Sequence, residues 1–129
     1  MTEALTIEII RVPCGVFQVL VASLSGNLQF GQSTDYLKTT VMDNLSPETK
    51  GVVINMTQVG IVDSSGVGIL AALTSRLAGK GAALVLTGIR PNLQSIFDLS
   101  GMGDLFLCME TPEQAMDYFL ARVRRSKPV

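Results

Sequence analysis

The 129-residue chain contains no histidine and no tryptophan, only two cysteines, and few aromatic residues of any kind. The missing imidazole excludes a Ser-His-Asp triad, a phosphohistidine relay and the usual zinc sites, unless another chain supplies the group. Cys14 and Cys108 lie far apart and show neither a CxxC nor a metal-ligand spacing, which reads as two buried thiols in a reducing cytosol. Lysines and arginines nearly balance the acidic residues, leaving a net charge of −1, so no basic bias points to nucleic acid. No apolar run approaches the length needed to span a bilayer. Glu3 and Glu8 stand where a signal peptide would carry basic residues. These absences point to a soluble cytoplasmic protein with no metal, no cofactor and no membrane insertion. With 47% apolar residues and 5% aromatic ones, the core must be built from Val, Leu, Ile, Ala and Met. The length suits one domain over 1–129, with its core in about 5–125.

The chain is organised around Ile61-Val62-Asp63-Ser64-Ser65-Gly66-Val67-Gly68-Ile69-Leu70. An apolar approach ends at Asp63 and a helical pattern starts at once. Asp and Ser are favoured helix caps because their oxygens accept from first-turn amides that lack a helical partner. Gly66 and Gly68 fall in the first turns, where glycine costs helix stability, and are expected to clear side chains so that a partner can approach. The pattern predicts an exposed serine pair at the positive end of a helix dipole, a place that tolerates phosphate. The competing reading is a simple helix cap.

Before this stretch, Thr6 to Val12 and Val16 to Leu24 read as two strands joined by Pro13-Cys14-Gly15, an antiparallel hairpin. Val16, Leu20, Ala22 and Leu24 share one face of the second strand, and Ser25-Gly26-Asn27 is expected to turn the chain away. Ser33 or Thr34 can cap a helix carrying Leu37, Val41 and Leu45, which ends near Asn44 ahead of Ser46-Pro47. Gly51 to Met56 is a short apolar run suited to a central strand.

After it, Leu70, Leu73 and Leu77 form a helical stripe, closed by Gly79 or Gly81. Ala82 to Ile89 is a strand, and Pro91 opens a helix with Leu93, Ile96 and Phe97 inward. Leu105 to Met109 is a last strand. Thr111-Pro112-Glu113-Gln114 is a capping box for a helix expected to bury Met116, Phe119, Leu120 and Val123. Arg122, Arg124, Arg125 and Lys127 at its end read as dipole-complementary solubilising charge, or as a patch for an acidic partner. The order implies an α/β fold: a mixed, mostly parallel sheet with an N-terminal antiparallel hairpin and about four helices.

Val52-Val53-Ile54-Asn55-Met56, Asp63-Ser64-Ser65-Gly66-Val67-Gly68, Ala83-Leu84-Val85-Leu86-Thr87-Gly88-Ile89 and Phe97-Asp98-Leu99-Ser100-Gly101-Met102 follow one another in an order that resembles the STAS domain family. The nearest resemblance is to the bacterial anti-sigma factor antagonists, good from about Gly51 to the last helix and weaker before it. The resemblance implies a phosphoprotein that regulates transcription by partner switching. Its unphosphorylated form binds an anti-sigma factor that is a serine kinase of the histidine-kinase-like ATPase type, and so frees the sigma factor. Phosphorylation of the serine after the Asp, here Ser64 with Ser65 in reserve, releases the antagonist, and a serine phosphatase resets it. Related antagonists commonly carry an acidic residue shortly after the glycine that follows the second strand. Gln29 takes that place, in a loop with one extra residue, Gly26-Asn27-Leu28-Gln29-Phe30-Gly31. In the family this loop lies near the phosphorylated serine and helps contact the partner.

The expected contact set is therefore Asp63, Ser64, Ser65, Gly66, Val67, Gly68, Asn27, Gln29 and Phe30. Phe30 is a partner anchor or packs under the sheet edge. A second reading keeps the fold but makes the chain a scaffold or a regulatory subunit of a signalling or transporter complex, with no phosphoswitch. An enzyme or nucleotide binder fits poorly. Gly66-Val67-Gly68 is only a GxG, Gly79-Lys80-Gly81 lacks the rest of a P-loop, and no carboxylates converge.

Overall fold

Alternating apolar residues and a tight Gly15-Val16 connection bring Thr6–Cys14 (β1) and Phe17–Leu28 (β2) together as an antiparallel hairpin, with Cys14 opposite Phe17 and Thr6 opposite Ser25. The computed structural model describes residues 4–101 and 103–126, with side chains through Arg122. The remaining elements are Gln32–Asp43 (α1), Thr49–Val62 (β3), Ser64–Gly79 (α2), Ala83–Thr87 (β4), Pro91–Leu99 (α3), Leu107–Met109 (β5) and Pro112–Ser126 (α4). The five strands lie in sequence order across one sheet, and every pair after the hairpin is parallel.

Right-handed crossovers that always step the same way across a sheet must lie on one face. Accordingly α1, α2 and α3 cover one side, where Leu20, Ala22, Leu24, Val52, Ile54 and Met56 meet Leu37, Val41, Leu70, Leu73, Leu77, Leu93 and Phe97. The alternate strand residues Val19, Val21, Val53 and Val85 point the other way, onto Ala115 and Phe119 of α4. Phe97 also meets Phe106 edge to face, with centroids 5.5 Å apart. No helix among the described residues is long and apolar enough to cross a membrane.

Several expectations need correction. Val16 sits in the hairpin turn and is 79% exposed, so it does not join the core face of β2. Ser25-Gly26-Asn27 does not turn the chain away. Strand β2 continues through it to Leu28, with register shifts against β3 around these residues. Gly26 has φ +110°, and a Cβ there would strike the Ala4 carbonyl, so the glycine serves an irregular strand in place of a turn. Its continuation pairs with Gln58–Val62, which extends β3 well past Met56, while β4 accompanies β3 only over Gly51–Asn55. The Arg90 guanidinium donates to the Val59 carbonyl at 2.7 Å and ties this extension to the start of α3.

Neither Ser33 nor Thr34 caps α1. The helix starts at Gln32 with Gly31 before it, and both hydroxyls bond backward within that corner. The segment from Gly103 to Leu105 is a 3-10 turn, so β5 is shorter than expected. The capping box at α4 forms, with Thr111 Oγ1 accepting from the Gln114 amide at 3.2 Å. Gln114 Oε1 accepts from the Glu110 amide, one residue earlier than the standard motif. Ala115 and Phe119, one helical turn apart, make the inward stripe of α4, and Leu120, rotated about 100° from Phe119, is 37% exposed. Cys14 is buried, but Cys108 is exposed on the edge strand, and partial desolvation raises its thiol pKa. Val123, Arg124 and Arg125 lie outside the described side chains, and Lys127 lies outside the described residues.

Candidate functional site

Strand β3 ends at Val62, and the single residue Asp63 leads the chain into α2, a helix whose stripe of Val67, Leu70, Leu73 and Leu77 is buried. Burial of that stripe fixes the rotation of the helix and leaves its first turn at the rim of the sheet. Asp63 is the N-cap: its Oδ1 accepts from the Gly66 amide at 2.9 Å, and the Val67 amide donates to its carbonyl at 3.0 Å. The first-turn amides of Ser64 and Ser65 have no carbonyl four residues back to bond within the helix. They and the dipole of a 16-residue helix contribute positive partial charge beside the Asp63 carboxylate.

The other carboxylate oxygen of Asp63 does something the sequence did not announce. Oδ2 accepts from the backbone amide of Phe30 at 2.9 Å, 33 positions away. The Asp63 amide in turn donates to the Leu28 carbonyl at 3.3 Å. One residue thus fastens the start of α2 to the loop between β2 and α1. That loop is held from its other side by Ser33, whose Oγ accepts from the Gln29 amide at 2.9 Å and donates to the Gln29 carbonyl at 2.6 Å. The local signal was limited to the cap; nothing in a one-dimensional pattern marks a bond to residue 30.

The expected contact residues divide by exposure. Ser64 is exposed and Ser65 half-buried. Phe30 is 84% exposed, which excludes packing under the sheet edge. Gln29 is half-buried, while Asn27, at 9% exposure, offers little surface. Gly66 and Val67 are buried. For Gly66 this corrects the expected role. A Cβ there would strike the Leu28 carbonyl oxygen and stand 2.9 Å from Val62 Cγ1, so this glycine lets α2 sit against the end of β2. Gly68 has no atom within 4 Å of where its Cβ would be, so open space surrounds this position.

Two exposed apolar residues that sequence reasoning passed over stand on the same elements: Ile61 near the end of β3 and Tyr36 on α1. Phe30 and Tyr36 line a shallow groove together with Leu5, Gln29 and Ser33. Among the described residues, no three Cys, Asp or Glu side chains gather in a way that could hold a metal ion. The corner presents a hydroxyl at a helix start, an aromatic ring on a fastened loop and a glycine-cleared helix surface.

A STAS domain model matches residues 13–115. Among solved structures, the anti-sigma factor antagonist SpoIIAA in its unphosphorylated form superposes with a TM-score of 0.70 at 21% identity, over 95% of this chain and 100% of that one. An anti-sigma factor antagonist from Mycobacterium paratuberculosis gives 0.73 at 22% identity, over 89% and 93%. The murine anion transporter Slc26a9 in its inward-facing state gives 0.74 at 14% identity, over 92% of this chain and 22% of that one. At such identities the shared property is the fold.

Proposed function

This chain belongs to the STAS family, and from that premise we propose that it is an anti-sigma factor antagonist working by partner switching in the cytoplasm. The observation that carries the reading is Ser64: an exposed hydroxyl on the first turn of α2, one residue after the Asp63 cap and next to the loop that displays Phe30. In the unphosphorylated state this corner docks on an anti-sigma factor that is also a serine kinase of the histidine-kinase-like ATPase type, and the sigma factor is released. The kinase then uses Mg²⁺ and ATP. Ser64 Oγ forms a bond to the γ-phosphorus, the bond from that phosphorus to the bridging oxygen breaks, ADP leaves, and a base on the kinase takes the hydroxyl proton. A serine phosphatase restores the hydroxyl with water. The chain itself is a substrate and a binding partner in this cycle, not an enzyme, and it makes no direct contact with nucleic acid.

Ser64→Ala should abolish phosphate transfer from the kinase while partner binding is kept, because a methyl group is no larger than the CH₂OH it replaces. Phosphopeptide mass spectrometry of the wild-type protein and the variant reads this directly. Labelling that survives in the variant would move the site, with Ser65 the first place to look.

A second reading has its own support. The same fold forms part of an anion transporter. In that case 63–68 is a docking surface in a scaffold or regulatory subunit, and no phosphate cycle acts on it. Stoichiometry separates the two: a switch gives small reversible complexes, and a scaffold purifies in a large stable one.

A further inference from the structure

An N-cap needs one acceptor, and Ser or Thr would supply it. Asp63 carries two oxygens and uses both, Oδ1 on Gly66 within its own helix and Oδ2 on the Phe30 amide. The corner around Phe30 is also tied by Ser33 to Gln29, by Thr34 to the Gly31 carbonyl and by the Asp63 backbone amide to the Leu28 carbonyl, but it is Asp63 Oδ2 that holds the Phe30 amide itself. The Phe30 ring is 84% exposed although the backbone beneath it is held. A large apolar side chain kept in water on a fastened backbone is the arrangement of an interface anchor, since little conformational freedom remains to be lost on docking.

We propose that Asp63 is a positioning residue for partner recognition: it clasps the β2–α1 corner to the start of α2, so that Phe30 is presented beside Ser64 to an apolar pocket of the anti-sigma partner. The partner's identity rests on the function proposed above; the clasp does not. The chemistry expected of the partner follows from the corner: an apolar slot for a phenyl ring, adjoining a close-fitting surface for a small hydroxyl.

The clasp is read first in the protein alone, by amide hydrogen exchange in ¹⁵N-labelled full-length chain. A serine at position 63 can cap α2 but is too short to serve Phe30 as well. Asp63→Ser should therefore speed exchange of the Phe30 amide by about tenfold or more, with the Gly66 amide little changed. If that variant fails to fold, Asp63→Asn serves instead. A carboxamide has only one oxygen, so either the Phe30 or the Gly66 amide must lose its acceptor and exchange faster. Unchanged exchange of the Phe30 amide in Asp63→Ser, or of both amides in Asp63→Asn, would overturn the clasp.

Positioning is read second, by titrating each purified anti-sigma kinase from the protein's own cells. Phe30→Ala should weaken binding by about thirtyfold or more. Asp63→Ser should weaken it too, and the double variant should be no weaker than Phe30→Ala alone. Additive losses would mean that the two residues act independently, and the positioning role would be wrong. If the wild-type chain binds none of these kinases, the proposed function fails, while the exchange result still decides the clasp.

Discussion

Phosphate on Ser64 is expected to weaken binding to the proposed anti-sigma partner by two to three orders of magnitude while leaving the melting temperature of the free domain almost unchanged. The new group brings about −1.5 to −2 charge beside Asp63. Within the domain that repulsion is offset by the α2 dipole and the first-turn amides, by something on the order of 1 kcal/mol. At the interface nothing offsets it. A surface fitted to a hydroxyl must desolvate a dianion without a pocket for it, and a penalty of about 3–4 kcal/mol corresponds to the stated loss of affinity. Amide NMR, thermal melting and partner titration of the two forms test this together. Shifts should be confined to 58–70 and to 26–33, because Asp63 joins these two segments and little else. Shifts spread through β1 or β4, or a collapse in melting temperature, would show that phosphate acts by changing the fold.

Gly66→Ala is expected to destabilise the domain by about 1–3 kcal/mol, although alanine is the better helix former by about 1 kcal/mol. The decision between these opposing effects lies in what the methyl would meet. One neighbour is the Leu28 carbonyl, a backbone group already bonded to the Asp63 amide, which cannot rotate aside as a flexible side chain could. Another is Val62 Cγ1 at 2.9 Å, whose β-branched side chain is stiff. Gly68→Ala is the matched control. It lies two residues along the same helix with open space around the added methyl, and should raise stability by about 0.5–1 kcal/mol. Urea titrations of the three proteins measure both differences. Equal behaviour of the two variants, or a stabilising Gly66→Ala, would mean that α2 does not sit against β2 as described.

These two glycines also show what a sequence conceals. Both read alike from pattern, as costly residues near a helix start, yet one faces the end of β2 and the other faces solvent. Features set by local chemistry were legible: the Asp63 and Thr111 caps, Pro91 at the first position of α3, and the strand alternation that puts Leu20 and Val19 on opposite faces. So was the parallel order after the hairpin, because alternating helices and strands leave few other solutions. Misreadings arose where a distant segment decided. Gly26 looks like a turn until Ala4 and β3 are beside it, and Phe119 rather than Leu120 faces inward because of where α4 crosses the sheet. For the same reason half of the candidate site was legible. Asp63, Ser64 and the exposed loop could be named, but the bond that makes them one corner spans 33 positions.

The strand order has a kinetic meaning as well. Each strand pairs with its immediate predecessor, so no strand must be threaded between two that are already joined. Every closure after the hairpin spans one helix and its short connections, and the entropy lost per closure rises only slowly with loop length. Assembly can then run as accretion from a β2–β3 nucleus toward both edges, with β5, the shortest strand, added last on its side. Each closure therefore joins segments that are near neighbours in the sequence, which keeps contact order below that of a sheet whose strands must be threaded between others.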